Sequence, residues 1–533
     1  MDDGLQLLAL LIAAVAVAAL ARRTQLSAPL ILVVTGLAVS FVPGVPDYTL
    51  SPEVALLLFL PPLLYSAALE SSYLGIRANL RPIRLLSIGA VLFTTVLVGL
   101  VVHALVPGLG WPLAFALGAI VAPPDAVAAT TIGRRVGLLR RVVTILAGES
   151  LVNDATALTA YRLAVAVALG EGFSLLSGVM DFFVAAVGGV AIGLLIGSAV
   201  ALLNRLLDDP LVENTVGLLT PFVAYLAVEN EYVHTSGVLA VVVAGLYIGH
   251  RSPRQSSYAS RLQAGSLWRM LDFLLESVVF ALIGLQLSSV VGALGQGATS
   301  RTELIVAAFV VAFAVVVSRF VWVFPATDVP RWLSRRVRER DPSPPWQVPF
   351  VISWAGMRGV VSLAAAFGLP LVADDGQPLD GREEVLLITF VVVIVTLVVQ
   401  GFSLPAVIRR LGVVAAETAA DNLAEAGAQQ AAADAALIRL TVLASSEETV
   451  PEEVLARLRE RVELRALMAW ERLGDAGPQR RETPQEAFRR LRREMLETER
   501  TVFVDLRDAG EIDDEVLRRV LIELDLEQAL LSR

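Results

Sequence analysis

Glu149, Ser150, Asn153 and Asp154 crowd into the segment Gly148-Glu149-Ser150-Leu151-Val152-Asn153-Asp154. It lies inside an apolar run from about Val142 to Leu169, long enough to cross a bilayer. A carboxylate near the centre of such a helix costs roughly 3 kcal/mol or more, so each acid there needs a partner or a task. Asp154 has two readings. It is neutralised by an arginine from another span, or it is a titrating carrier. Burial favours a protonated carboxyl, whereas a nearby cation favours the ionised form. One acid can therefore hold a proton or a metal cation, each displacing the other. That competition is sufficient for antiport if the site faces the two sides in turn and moves only when loaded. Ser150 precedes Asp154 by four residues and shares its helical face, so its hydroxyl is a further oxygen ligand. Asn153 offers an amide that cannot titrate, which points to one cation per proton.

Two other apolar runs carry interruptions. About Trp111 to Ile132 contains Ala122-Pro123-Pro124-Asp125-Ala126, and about Gln347 to Leu369 contains Gly356-Met357-Arg358-Gly359. A proline pair removes two backbone donors and should break a helix; glycines flanking Arg358 weaken helix propensity. Asp125 then either caps the second half-helix or faces the cavity opened by the break. In the latter case unwound carbonyls join its carboxylate as oxygen ligands for a hard cation. Glu149 and Arg358 form the natural ion pair, since either alone would be costly in an apolar run. Glu70 caps, pairs with Arg77 or reaches Asn153. Arg319 and Glu276 are also intramembrane, without an assignable partner. His103 and His234 read as interfacial and His250 as part of a basic loop.

The elements that must position these groups are membrane helices. The chain has 533 residues, 56% of them hydrophobic, and a mean hydropathy of +0.68, values outside the soluble globular range. Apolar runs suggest about thirteen spans, roughly 4–21, 28–42, 53–69, 84–106, 111–132, 142–169, 179–203, 212–229, 236–249, 273–292, 303–325, 347–369 and 385–407. The first lacks the positive front of a secretory signal: Met1-Asp2-Asp3 precede it and Arg22-Arg23 follow it. Alternate loops are rich in arginine (Arg77, Arg81, Arg84; Arg134 to Arg141; Arg251 to Arg269; Arg331 to Arg340; Arg409-Arg410). The opposite loops hold Asp47, Glu231, Asp374, Asp375 and Asp380. The positive-inside rule then puts the N-terminus outside and the C-terminal tail in the cytoplasm. Interrupted spans in both halves point to inverted repeats with two broken helices.

Composition also divides the chain and excludes several classes. Residues 1–410 hold 26 arginines and 26 acids, so the whole net charge of −9 sits in the remainder. We therefore read 1–411 as a transmembrane exchanger domain and 412–533 as a helical cytoplasmic domain. Helices are expected over Ala415–Leu440, from Pro451 to near Gly474, over Pro484–Asp508, and after Asp513. Phe488, Leu491, Met495, Val502 and Leu506 make an apolar stripe on the third. This tail is either a self-packing bundle or a regulatory domain. Cysteine is absent, which excludes disulfides and thiolate metal sites. Histidine is too scarce for a clustered metal centre, and no cofactor is implied. No strongly basic domain suggests nucleic acid. No histidine lies deep in a span beside a serine, so an enzyme is disfavoured.

The Gly-Glu-Ser-x-x-Asn-Asp segment, together with Pro124-Asp125-Ala126-Val127 and Gly356-Met357-Arg358-Gly359-Val360-Val361-Ser362-Leu363, resembles the cation/proton antiporter-1 family. That family includes the NhaP-type and animal sodium/proton exchangers, and the resemblance covers about residues 5–410. It implies an all-helical, thirteen-span homodimer in the bacterial inner membrane, with a dimerisation domain and a six-helix core that moves elevator-fashion. By this likeness Asp154, Asp125 and Ser150 bind the cation, Asp154 also carries the proton, and Asn153 marks the electroneutral branch. Glu149 would pair with Arg358, and Glu70 would match an acid that contacts the asparagine. Where many relatives have Thr-Asp-Pro, this chain has Pro124-Asp125-Ala126, which leaves sodium against potassium open. The alternatives are a potassium/proton antiporter, a cation channel, which would want a continuous polar path or a ring of ligands where this chain has a few isolated charges, and an ion sensor that signals through the tail.

Overall fold

The computed structural model describes residues 2–23, 27–43, 45, 55–106, 108–170, 175–207, 209–228, 235–286, 301–370, 372, 379–414, 418–446, 451–474 and 484–531. Asp47, Glu231, His234, Asp374, Asp375 and the end of the tenth expected span, 287–292, lie outside the described residues. Helix dominates, as backbone polar groups in lipid require. The extended pairing among the described residues is one isolated bridge, Leu138 with Val414. Five of the described helices are long and apolar enough to cross a membrane by length and composition. The chain divides into two compact units, Met1–Ala415 and Ala416–Arg533.

In the first unit the helices are α1 (Asp2–Arg23), α2 (Ala28–Ser40), α3 (Leu60–Glu70), α4 (Tyr73–Ala78), α5 (Leu80–Arg84), α6 (Val91–Leu105), α7 (Trp111–Val121), α8 (Ala126–Val136), α9 (Arg140–Ala168), α10 (Leu175–Asn204), α11 (Pro210–Leu226), α12 (Gly237–Gln255), α13 (Tyr258–Leu285), α14 (Arg301–Leu333), α15 (Arg335–Arg340), α16 (Gln347–Trp354), α17 (Val360–Phe367), α18 (Arg382–Val395) and α19 (Gly401–Leu411). Three π-turns, Ala55–Phe59, Leu85–Ala90 and Thr396–Gln400, run directly into α3, α6 and α19. The run from Trp111 is interrupted between Val121 and Ala126, and the run from Gln347 between Trp354 and Val360. Proline and glycine chemistry explains both breaks.

Two packing groups share the unit. One joins α6, α7, α8, α9, α14, α16, α17, α18 and α19; the other joins α1, α2, α3, α10, α11, α12 and α13. The second group is held by close backbone approach. A Cβ on Gly284 of α13 would collide with Val33 O of α2, and one on Gly36 would sit 2.6 Å from Ala281 O. Small residues of this kind let helices pack without intervening side chains. The groups meet along α9 with α12, α10 and α3, and along α13 with α17.

The second unit contains α20 (Thr418–Ser446), α21 (Glu452–Gly474), α22 (Pro484–Asp508) and α23 (Asp514–Leu531). Here α20 packs on α21 and α22 on α23. Gly510, at φ 75°, takes the left-handed turn between the last pair. Arg492 bridges Glu499 and Glu527, each at 2.7 Å. The expected stripe on α22 is not its buried face: Phe488, Leu491, Met495 and Val502 are each about half exposed, whereas Leu496 is 2% exposed. The buried positions of its partner are Leu517 and Leu524. Ion pairs flank this packing, with Arg492 on Glu527 and Arg500 on Asp525.

Candidate functional site

A cavity of about 210 Å³ lies on the seam between the two packing groups of the first unit. Asp125, Asp154, Ser150 and Glu70 line it, as do Pro123, Pro124 and Gly359 at the two helix breaks. Its mouth is marked by Glu70 and Arg134, whose side chains are 54% and 60% exposed. That end adjoins the arginine-rich loops. Val279, Phe280, Val360 and Ala364 supply apolar lining.

The breaks are built into each other. The Asp125 amide donates to Met357 O at 2.7 Å. The Arg358 guanidinium donates to Val121 O at 2.8 Å and Ala122 O at 3.2 Å, and also to Gly356 O. The C-terminal carbonyls of α7 have no helical amide to accept, so a buried cation there satisfies them and opposes the negative helix end. Asp125 does the converse at the start of α8: its Oδ1 accepts from the Val127 amide at 2.8 Å. Capping and cavity-lining therefore coexist in one carboxylate. Thr396, in the third π-turn, accepts from the Arg358 amide at 3.1 Å. A side chain at Gly359 would overlap the Asp125 carboxylate, so only glycine allows this close approach.

On α9, Asn153 Nδ2 donates to Pro124 O at 2.9 Å, which ties the helix to the break without lining the cavity. Asp154 is 5% exposed. No hydrogen bond or ion pair satisfies it among the described residues, and Asp125 lies near enough to repel it. Two carboxylates, a hydroxyl and nearby carbonyls form an oxygen-rich, negatively charged pocket suited to a small cation.

The expected Glu149–Arg358 pair is corrected. Glu149 is held by Arg319, Nη1 to Oε1 at 2.6 Å and Nη2 to Oε2 at 3.1 Å, and both side chains are 1% exposed. Arg319 also donates to Ile352 O at 3.0 Å, at the end of α16. Arg358 is drawn instead to the orphan carbonyls. A planar guanidinium makes a two-point contact with either a carboxylate or a helix end; the break supplied the latter. Glu70 pairs with Arg134 at 3.5 Å, not with Arg77 or Asn153.

Two further acids line the cavity from α13, Asp272 and Glu276. Glu276 was legible as an intramembrane acid. Asp272 escaped notice because it stands one residue before the apolar run on which the tenth span was drawn. Its signal was its spacing of four from Glu276, which puts both on one helical face.

The family model for the sodium/hydrogen exchanger transmembrane region matches residues 9–410. An uncharacterized Na(+)/H(+) exchanger of Mycobacterium tuberculosis is 35% identical over 532 residues, 99% of this chain and 96% of that protein. A sodium, potassium, lithium and rubidium/H(+) antiporter of Bacillus subtilis is 32% identical over 389 residues, 71% of this chain and 57% of that protein. In fold the chain is similar to the sodium proton antiporter MjNhaP1 of Methanocaldococcus jannaschii, with a TM-score of 0.59 at 18% identity, covering 77% of this chain and 99% of that one.

Proposed function

This chain belongs to the sodium/hydrogen exchanger family, a family of transporters and not of enzymes, and on that premise we propose that it exchanges a monovalent cation, sodium foremost, for protons by competition at Asp154. The observation that carries the reading is Asp154 itself. It is 95% shielded by the complement of its 5% exposure, lines a cavity, and has no partner among the described residues. A cation or a proton supplies what the protein does not.

The buried charges at the site on its own packing group favour one ion at a time. Glu149 and Arg319 cancel. Arg358 offsets one of the two acids Asp125 and Asp154. The remainder is one negative charge, which one sodium ion or one proton neutralises. Moving an uncompensated charge through lipid is costly, so the neutral, loaded forms are the mobile ones, and exchange is electroneutral. In this reading the group containing α7, α8, α9, α16 and α17 moves against the group containing α13, and the cavity mouth at Glu70 and Arg134 faces the cytoplasm. The chain works as a homodimer in the plasma membrane, and its C-terminal unit is a cytoplasmic regulatory domain. Potassium is the second cation to test, because the Bacillus subtilis relative is named for it and Pro124 offers no hydroxyl ligand.

The test is dequenching of a pH dye in proteoliposomes with each alkali cation. Wild type dissipates the gradient on sodium addition without current. Asp154→Asn, monodisperse and helical, gives no dequenching; full-speed exchange in that variant would end the proposal.

A further inference from the structure

The cavity has a second acidic wall. Asp272 and Glu276 project from α13, one helical turn apart, and face the break residues and Asp154 across the seam. Ser66 Oγ donates to Asp272 Oδ2 at 2.5 Å, which fixes that carboxylate against α3. Asp272 Oδ1 is buried and accepts no hydrogen bond. Neither acid forms a salt bridge among the described residues. The electrostatic neighbours of Glu276 are Asp272, Asp125 and Glu70, all of its own sign, and Arg22. The Arg22 guanidinium is also engaged over the Phe273 ring, 4.3 Å from its centroid.

An acidic group alone could be a solvated wall. The independent observation is Asp154 on the facing wall, 5% exposed, opening on the same cavity and unpartnered. Order along α13 adds direction. Asp272 and Glu276 precede the apolar Val279 and Phe280, and Asp272 is bonded to Ser66, one turn from Glu70 on α3. A cation entering from the arginine-rich end therefore passes two acids that make no salt bridge among the described residues before it reaches Asp125 and Asp154.

We propose that Asp272 and Glu276 form a loading station for the transported monovalent cation, set on the wall opposite Asp154 and serving only the side on which Glu70 and Arg134 mark the mouth. The inference rests on the antiport reading and adds a cation-attracting pair to it. Because the two acids belong to the other packing group, they do not travel with Asp154. They raise the local cation concentration when the cavity is open to their side, and not when it is open to the other.

Exchange kinetics in vesicles of defined orientation test this. Sodium is added either to the side bearing the arginine-rich loops or to the opposite side. Glu276→Gln should raise KM from the loop side about fivefold, the effect expected of one partly screened charge acting on an ion in its cavity. KM from the opposite side should change less than about twofold, and saturating rates should stay within about twofold, as loss of one charged wall with the carrier acid intact requires. Glu276→Asp should restore the loop-side KM, and Asp272→Asn combined with Glu276→Gln should exceed either alone. An unchanged KM on both sides, an equal rise on both, or a loss confined to saturating rate overturns the station. Wild type and Asp154→Asn run in the same vesicles separate the two claims. A wild type that exchanges no cation ends both, whereas an active wild type with an unaltered Glu276→Gln ends this one alone.

Discussion

Removing either member of the Glu149–Arg319 pair leaves the other charge shut inside the helices. The pair is bidentate at 2.6 and 3.1 Å, with both side chains 1% exposed. A buried ion pair broken on one side costs about 3–5 kcal/mol, in line with two charge-assisted hydrogen bonds at about 1.5–3 kcal/mol each. Glu149→Gln and Arg319→Met should each lower the unfolding free energy in mixed micelles by about 3 kcal/mol or more. The double variant, with no charge left to strand, should recover much of that loss, giving a coupling energy above about 2 kcal/mol. The recovery will be incomplete, because Arg319→Met also frees Ile352 O. The same cycle between Glu149 and Arg358 should show weaker coupling, since Arg358 serves helix-end carbonyls. Stronger coupling of Glu149 to Arg358 than to Arg319 would refute the assignment.

Asn153→Asp removes the Nδ2 donor on Pro124 O and sets a carboxylate against that carbonyl; stability should fall by about 1–3 kcal/mol and exchange by about tenfold or more as the site loses its geometry, read by micellar unfolding and dye dequenching. Gly359→Ala drives a methyl group into the Asp125 carboxylate; exchange should disappear while circular dichroism stays that of the wild type. In the second unit, Arg492 holds the Glu527 carboxyl below its ordinary value. A lowered carboxylate contributes stability above its unfolded pKa and loses it as pH falls through the folded one. Protection factors against hydrogen exchange in α22 and α23, corrected for the intrinsic rate, should therefore stay steady at neutral pH and fall only below about pH 4, and modestly, because exposed pairs are weak.

The acids were legible where lipid makes them conspicuous. Asp125 and Asp154 stand out in apolar runs, and Pro123-Pro124 and Gly356/Gly359 announce the breaks by removing donors and helix propensity. The cavity unites Asp125, Asp154, Ser150 and Glu70 because those breaks interlock. The choice between Arg319 and Arg358 for Glu149 was not legible: both arginines lie in apolar runs, and partners 170 residues apart leave no local trace. The proline break leaves the Val121 and Ala122 carbonyls in need of a donor, and Arg358 meets that need. Asp272 fell outside a hydropathy window because α13 begins well before its apolar stretch, at Tyr258. The stripe on α22 is real in sequence, but Leu496 is the residue that packs inward, while Arg492 and Arg500 pair with acids of α23 at the flanks.

At Gly36 and Gly284 the backbones of α2 and α13 touch with no side chain between them. Any slippage would ram a neighbouring Cβ into one of those notches, so the pair is keyed together like a stator. Under the proposed exchange, depth in the bilayer is then a constant for Asp272 and Glu276 and a variable for Asp154. The protein thereby owns a fixed reference mark past which its cargo is carried.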